Sequence, residues 1–384
     1  MRSCSHLRKS SGRLESNMVK TEPSLNGEVV KLLCELVQID SESGEEEEFL
    51  HFLADLLDRK LFAGCTFDSY GNLIARLPPK GSSVTQPILF ACHGDTVKPG
   101  KGIVPIVEGD VVRSKGETIL GADDKAGIAE FITALQGAER YPPIEFVVTR
   151  EEETGLVGAR HLDVSQLHAK EGYVLDMDAL DAVVVGGPSH VLIDVEIQGK
   201  AAHAAMEPEK GVSAILAAAR AIVSLPLGQV DPETTANVGI IEGGQIRNGI
   251  PDHVTIRAEC RSLSHERCMD LAESIEEIFV VTSRAMGAKA TVNSELAYRA
   301  SSISPSARVV TLAKEAIEAV GLTPNVQTIR GGTDAAIYNE HGIETVVIGT
   351  GVKAEHSTDE HVYVDDMNRA VWMVRYILEE LGSE

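Results

Sequence analysis

The 384-residue chain has no CxxC pair, no apolar run long enough to span a bilayer, and little positive charge. Each absence removes a class of function. The six cysteines, at 4, 34, 65, 92, 260 and 268, show the spacing of neither a zinc ribbon nor a disulfide framework, so a reducing cytoplasm is the expected compartment. Without a run of about 20 apolar residues, no transmembrane helix is expected. With 35 Lys and Arg against 58 Asp and Glu, the net charge is -23, which disfavours nucleic acid or an anionic membrane as partner. The Walker pattern G-x-x-x-x-G-K-[ST] is also absent. No internal repeat or low-complexity linker interrupts the chain. The same acidity carries a positive implication: carboxylates clustered inside such a protein need a counter-charge, and a bound cation is the obvious one.

The length exceeds what one hydrophobic core usually supports, so two domains are expected. Residues 1–17, rich in Ser and Arg, read as a disordered leader rather than a secretory signal, with a transit peptide as the compositional alternative. From Gly27 the pattern alternates: VVKLLCELV and EEEFLHFLADLLDRKL at helical spacing, PILFACHGD as a strand entering a turn, GADDKAGIAEFITALQGA as a glycine-rich turn opening a helix, and IEFVVTR and GYVLDMD as strands. This order predicts an α/β domain with a mostly parallel sheet flanked by helices. Between 189 and 298 the order becomes βαββαβ, a ferredoxin-like α+β unit inserted into the first. The catalytic domain is therefore expected in two segments, 18–188 and 299–384, with the insertion at 189–298 between them.

Five polar clusters sit where predicted strands end, which is where open α/β sheets bind ligands. CHGDTV holds His93 and Asp95, two apart and so on one side of an extended backbone. An Asp can accept the second imidazole N–H of a ligating His. GADDKAG places Asp123 and Asp124 before a helix, where capping alone could explain one of them. TREEETG carries Glu151, Glu152 and Glu153. VLDMDAL carries Asp176 and Asp178, which share one face of a predicted strand. KAEHSTDEH carries His356 and His361. Singly these are turn or surface residues. Jointly, two His and several carboxylates without a thiolate cluster match zinc, cobalt or manganese, and they outnumber the ligands of one zinc. Two ions sharing a carboxylate, about 3.5–4 Å apart, would use the surplus.

HGDT, GADDKAG, EETG, GGTD and EHSTDEH in this order resemble the dizinc exopeptidases that include peptidase T, carboxypeptidase G and aminoacylase, most nearly the peptidase T branch. The resemblance runs from about Ser41 to the C-terminus. It implies a metallo-exopeptidase cleaving the N-terminal bond of short peptides, with a deacylase, dipeptidase or carboxypeptidase on the same scaffold, or a non-enzymatic metal-binding protein, as alternatives. It implies two divalent ions, zinc first. His93, Asp123, Glu153, Asp178 and His356 would be metal ligands, with Asp123 bridging and its peptide bond to Asp124 cis. Asp178 is preferred to Asp176 because the small Ala179 follows it. Asp95 would orient His93, and Glu152 would be the general base. The insertion would be a lid and dimerisation domain of a homodimer. Its His203 would stabilise the tetrahedral intermediate, often from the neighbouring subunit, and Asn248 and Arg330 would bind substrate. Ala335 departs from the Gly usual after GGTD in the peptidase T branch. Glu151, where relatives carry Asp, has no implied catalytic task.

Overall fold

A computed structural model describes residues 27–383, so the expected leader at 1–17 lies outside the described residues. The larger unit is a nine-stranded sheet. Its centre is parallel: Ile88–His93 lies between Ile144–Thr149 and Glu171–Met177, and Glu344–Gly349 follows on the far side of Glu171–Met177. The six residues of Ile88–His93 and of Ile144–Thr149 are all buried, as expected for strands covered on both faces.

Towards its two edges the mostly parallel sheet gains antiparallel pairs. On one side Gly64–Phe67 and Leu73–Leu77 form a hairpin. Its turn is tied by the Asp68 carboxylate, which accepts the backbone N–H groups of Tyr70, Gly71 and Asn72 at 2.9, 2.8 and 2.9 Å. On the other side Ala182–Gly187 pairs antiparallel with Glu344–Gly349. The hairpin strands pair antiparallel because their short connection leaves no room for a crossover helix.

Helices Ala122–Gly137, Glu28–Leu36 and Val364–Leu381 cover one face. There Phe131 stacks on Phe146 at 4.1 Å, and Phe90 lies between Phe131 and Tyr173. Such pairs contribute about 0.5–1.5 kcal/mol each beyond the area they bury.

Residues 189–298 build a second sheet with its own core. Five antiparallel strands run in the order Gly228–Asp231, Thr234–Gly243, His253–Ser262, Ser189–Gln198, Lys289–Tyr298. Helices Ala214–Ser224 and His265–Ala285 bury Ala217, Ala218, Ile275 and Phe279 against Ile193, Val195 and Ile256. The chain leaves the large sheet after Gly187 and returns at Ser301, directly opposite Gly187 in the ladder. The insertion is therefore rooted at one edge of the large sheet.

A third, small sheet orders Val352–Lys353, His361–Tyr363, Val111–Ser114 and Pro105–Glu108. It holds the 354–360 loop against the turn that precedes Asp123. Among the described residues no helix is long and apolar enough to cross a membrane.

Candidate metal centre

His93 ends a central strand and is 2% exposed. Its Nδ1 lies 3.0 Å from the Asp95 carbonyl and 3.4 Å from the Asp95 carboxylate. An N–H at Nδ1 donating to that carbonyl leaves the Nε2 lone pair facing outward. Nε2 stands 3.3 Å from Asp123 Oδ1 and 3.7 Å from Asp176 Oδ1. On the opposite side, His356 Nε2 is 3.3 Å from Asp123 Oδ2 and 2.8 Å from Glu153 Oε1. The ligand atoms thus form two groups, His93–Asp123–Asp176 and Asp123–Glu153–His356. Each Asp123 oxygen serves one group. Donors about 2.0–2.1 Å from a tetrahedral ion stand about 3.3–3.4 Å from one another, and each histidine stands at 3.3 Å from its Asp123 oxygen.

The electrostatics point the same way. Burial, with repulsion from Asp176, pushes the Glu152 carboxyl well above its ordinary value, and burial also raises Asp176. Burial lifts Glu153 to about 6. For Asp123, burial alone would raise the carboxyl, but hydrogen bonds from His356 and His93 outweigh it and leave the group below its ordinary value. These are carboxylates short of a counter-charge, and a cation between them would supply it.

Neighbouring segments hold this geometry in place. Gly121 adopts φ 68, a left-handed turn that favours glycine, just ahead of Asp123. The Glu360 carboxylate then accepts the backbone N–H groups of Gly121, Ala122 and Asp123 at 2.7, 2.7 and 3.0 Å. The Asp123–Asp124 peptide is cis. Asp95 accepts from the backbone of Glu152 and Glu153, at 2.9 and 3.2 Å, and from the Ser43 hydroxyl at 2.7 Å. It therefore holds the TREEETG turn as well as facing the His93 ring. Behind the turn, Glu46 is fully buried; it accepts the Glu151 N–H at 3.1 Å and pairs with Arg150 at 2.9 Å. Glu151 itself sits at φ 50 and accepts the Tyr70 hydroxyl at 2.8 Å, facing away from the ligand groups.

The single chain places four of the expected site residues outside the two ligand groups. Asp178 is not in either ligand group; Asp176 takes that place. The strand ends at Met177, so the period-two argument fails one residue before Asp178, whose carboxylate turns back to its neighbour's amide, Ala179 N–H, at 2.8 Å. His203 is exposed and lies outside the ligand cavity, its Nδ1 accepting from Ala205 and Met206. With Asn248 it lines a separate cleft of the insertion. Arg330 is exposed and donates to the Pro232 carbonyl at 2.7 Å, although its neighbours Gly331 and Gly332 line the ligand cavity. The insertion carries His203 on the short strand Ala202–His203 and Asn248 in the turn before its partner Gly249–Ile250, and in one chain neither lines the metal-site cavity.

Sequence reasoning also missed Glu360, Glu46 and Asp334. Glu360 and Asp334 stand inside motifs already singled out, EHSTDEH and GGTD. Asp334 is 2% exposed, bonded to the Thr149 hydroxyl, and pushed up to about 6 by burial.

The ligand groups, Glu152 and the 331–333 loop line one cavity of about 430 Å³. Over 93% of its length the chain superposes on the solved aminopeptidase PepT from Bacillus cereus, covering 98% of that chain, with 39% identity and a TM-score of 0.83. The chain belongs to the peptidase T family. A tripeptidase from Staphylococcus aureus matches at 35% identity and TM-score 0.86, over 94% of this chain and 99% of that one. The uncharacterized protein YqjE of Bacillus subtilis is 39% identical, over 91% of this chain and 97% of its own. Within the peptidase T scaffold, residues 189–286 match the peptidase dimerisation domain and residues 72–223 match peptidase family M28. The chain is accordingly a metal-dependent exopeptidase, a hydrolase of peptide bonds.

Proposed function

We propose that the enzyme removes the N-terminal residue from short peptides, tripeptides foremost, with two divalent ions, zinc or alternatively cobalt or manganese. The observation that carries this reading is the split Asp123 carboxylate, one oxygen 3.3 Å from each histidine of the two ligand groups. His93, Asp123 and Asp176 would hold one ion, and Asp123, Glu153 and His356 the other, so Asp176 replaces Asp178 in the assignment. The bound ions supply Lewis acidity and make a water acidic enough to serve as nucleophile near neutral pH.

The chain's own groups do the remaining work. Glu152 takes the proton of the attacking water and returns it to the leaving amine. A raised carboxyl suits that task, because it must both accept and release a proton at working pH. Asp95 fixes the His93 ring and the Glu152 backbone together, so ligand and base keep one relative position. Tyr70 holds Glu151 out of the cavity, which gives the third glutamate of the turn a positioning task.

His203 and Asn248 lie too far along the insertion to reach this cavity from their own chain. We assign them to the cavity of a partner subunit in a homodimer. The dimerisation-domain match and the exposed apolar side chains Ile215, Leu216 and Val223 on one helix, with Ile240 and Ile241, support that assembly. The described cysteines are all free, which suits the cytoplasm.

A panel of di- and tripeptides with free or acetylated amino termini, assayed with zinc, cobalt and manganese, tests the reading. Free-amine tripeptides should be cleaved best. Glu152→Gln should retain two metals per chain by elemental analysis and lose about 10²–10⁴-fold in kcat. Equal cleavage of acetylated peptides would make the enzyme a deacylase instead, and near wild-type turnover by Glu152→Gln would displace Glu152 as base.

A further inference from the structure

Two walls of the cavity carry neither a ligand nor the base. One is the root of the insertion, where His190, Arg261 and Tyr298 line it within their own chain. The other is the loop Gly331, Gly332 and Thr333 of the GGTD motif. Among the described residues neither Gly331 nor Gly332 makes a hydrogen bond. On one side the loop leans on the insertion, since a side chain at Gly332 would run into the Tyr298 phenol. Glycine loses more backbone freedom on ordering than any other residue, so a glycine-rich wall without bonds of its own needs an anchor.

Asp334 supplies it. The residue closes the GGTD motif, and its Oδ2 accepts the Thr149 hydroxyl at 2.5 Å, across 185 residues of chain. Thr149 ends the strand Ile144–Thr149 and stands beside His93 in the parallel ladder. Its carbonyl accepts the N–H of Gly94, the residue between His93 and Asp95, at 2.8 Å. The same threonine opens the TREEETG turn that carries Glu152. One hydrogen bond thus joins the loop to both segments that present ligand and base.

Local structure does not account for a carboxylate at this position. Asp334 precedes the short helix Ala335–Glu340, yet its side chain caps no backbone N–H. Its other oxygen, Oδ1, is buried without a hydrogen-bond partner, as is the hydroxyl of Tyr338, one turn further along that helix. Burying a carboxylate oxygen unbonded costs stability. What the side chain contributes is its bond to Thr149, and a hydroxyl donating to a carboxylate belongs to the shorter, stronger class of hydrogen bond. We infer that Asp334 is a positioning residue, which ties the Gly331–Thr333 wall to the strand ends that carry His93 and lead into the Glu152 turn, so that wall and base keep one distance. Asp334 belongs to neither ligand group and does not line the cavity, so it acts through Thr149 and the loop. This rests on the role proposed for Glu152 and adds what keeps the facing wall in register with it.

The test pairs steady-state kinetics on trialanine with hydrogen exchange of residues 329–336, read by mass spectrometry on the metal-loaded enzyme. Asp334→Ala and Thr149→Val each remove the bond. Each should lower kcat by about 10- to 100-fold, because a misplacement of about 1 Å costs about 10²-fold. KM should change by no more than a few fold, metal content should not change, and exchange in 329–336 should quicken. Thr149→Ser, which keeps the hydroxyl, should recover both rate and protection. The double variant should be no slower than the slower single one, since both substitutions break the same bond. A purely structural role would lower the denaturant midpoint and leave kcat of the folded enzyme unchanged. That result, losses that add in the double variant, or a lost ion in Asp334→Ala overturns the assignment. If Asp334→Ala does not fold, Thr149→Val against Thr149→Ser decides. If the unsubstituted enzyme turns over no free-amine peptide, the proposed function fails. Faster exchange in both variants, reversed by Thr149→Ser, would still uphold the tether, and unchanged exchange would overturn it.

Discussion

The large sheet and the inserted sheet treat their polar residues differently. In the large sheet, His93, Asp123, Glu153 and Asp176 come from four separate segments, yet one chain brings their ligand atoms within 4.8 Å in each group. In the inserted sheet, His203 and Asn248 are brought together only with each other, in a cleft of their own. The physical difference is rigidity and position. Parallel strands buried on both faces align their carboxyl ends, so whatever follows each strand converges at one edge. The far end of an insertion joined at a single edge has no such convergence, and its residues meet the site only if another surface comes to them. Arg261, His190 and Tyr298 are the exception that explains the rule, because they sit at the root.

Three perturbations sharpen this contrast. The largest effect is expected at the large sheet. Asp176→Asn should remove one ion or weaken it severely, with activity down about 10²-fold or more, since loss of even a residue supporting a ligand costs 10–100-fold. Asp178→Asn should change metal content and kcat by no more than a few fold. Elemental analysis and kinetics on the pair decide between them, and the reverse order would restore Asp178 as ligand.

A smaller effect is expected at the insertion. His203→Ala should lose about 10²-fold in kcat, the order found for removing one donor to a developing oxyanion. Mixing it with Glu152→Gln should regain activity, because a heterodimer then contains one site with an intact base and an intact histidine from its partner. If the mixture stays as inactive as its components, His203 serves its own chain or none. The smallest effect is expected behind the site. Tyr70→Phe removes the hydroxyl that holds Glu151, at a cost of about 0.5–1.5 kcal/mol in stability read from denaturant midpoints, with metal content unchanged. Loss of a metal in that variant would mean that Glu151 acts closer to the ligands than its geometry indicates.

Much of the site was legible because its signals are local. HGDT and EETG each put a carboxylate or imidazole at the end of an apolar strand, and strand ends are where the sheet edge must be. The choice between Asp176 and Asp178 was not legible. Alternation predicts a shared face only while the backbone stays extended, and the strand stops at Met177. Glu360 was hidden for a different reason: its partners, Gly121 to Asp123, are about 240 residues away, and a small antiparallel sheet built from short, weakly patterned strands makes the connection. The antiparallel pairing of Ala182–Gly187 with Glu344–Gly349 escaped because Ala182–Gly187 carries no clear period of its own.

By itself the sequence determined the strand–helix alternation, an inserted α+β unit with two helices, and the chemistry available at each strand end, because periodicity and residue type are local properties; the insertion's fifth strand, Gly228–Asp231, it did not. Tertiary structure alone decided that Asp176 rather than Asp178 faces His93, and that the guanidinium lining the cavity is that of Arg261 rather than Arg330. Those are relations between segments far apart in the chain, fixed by strand register and by where each strand ends, and no local pattern encodes them.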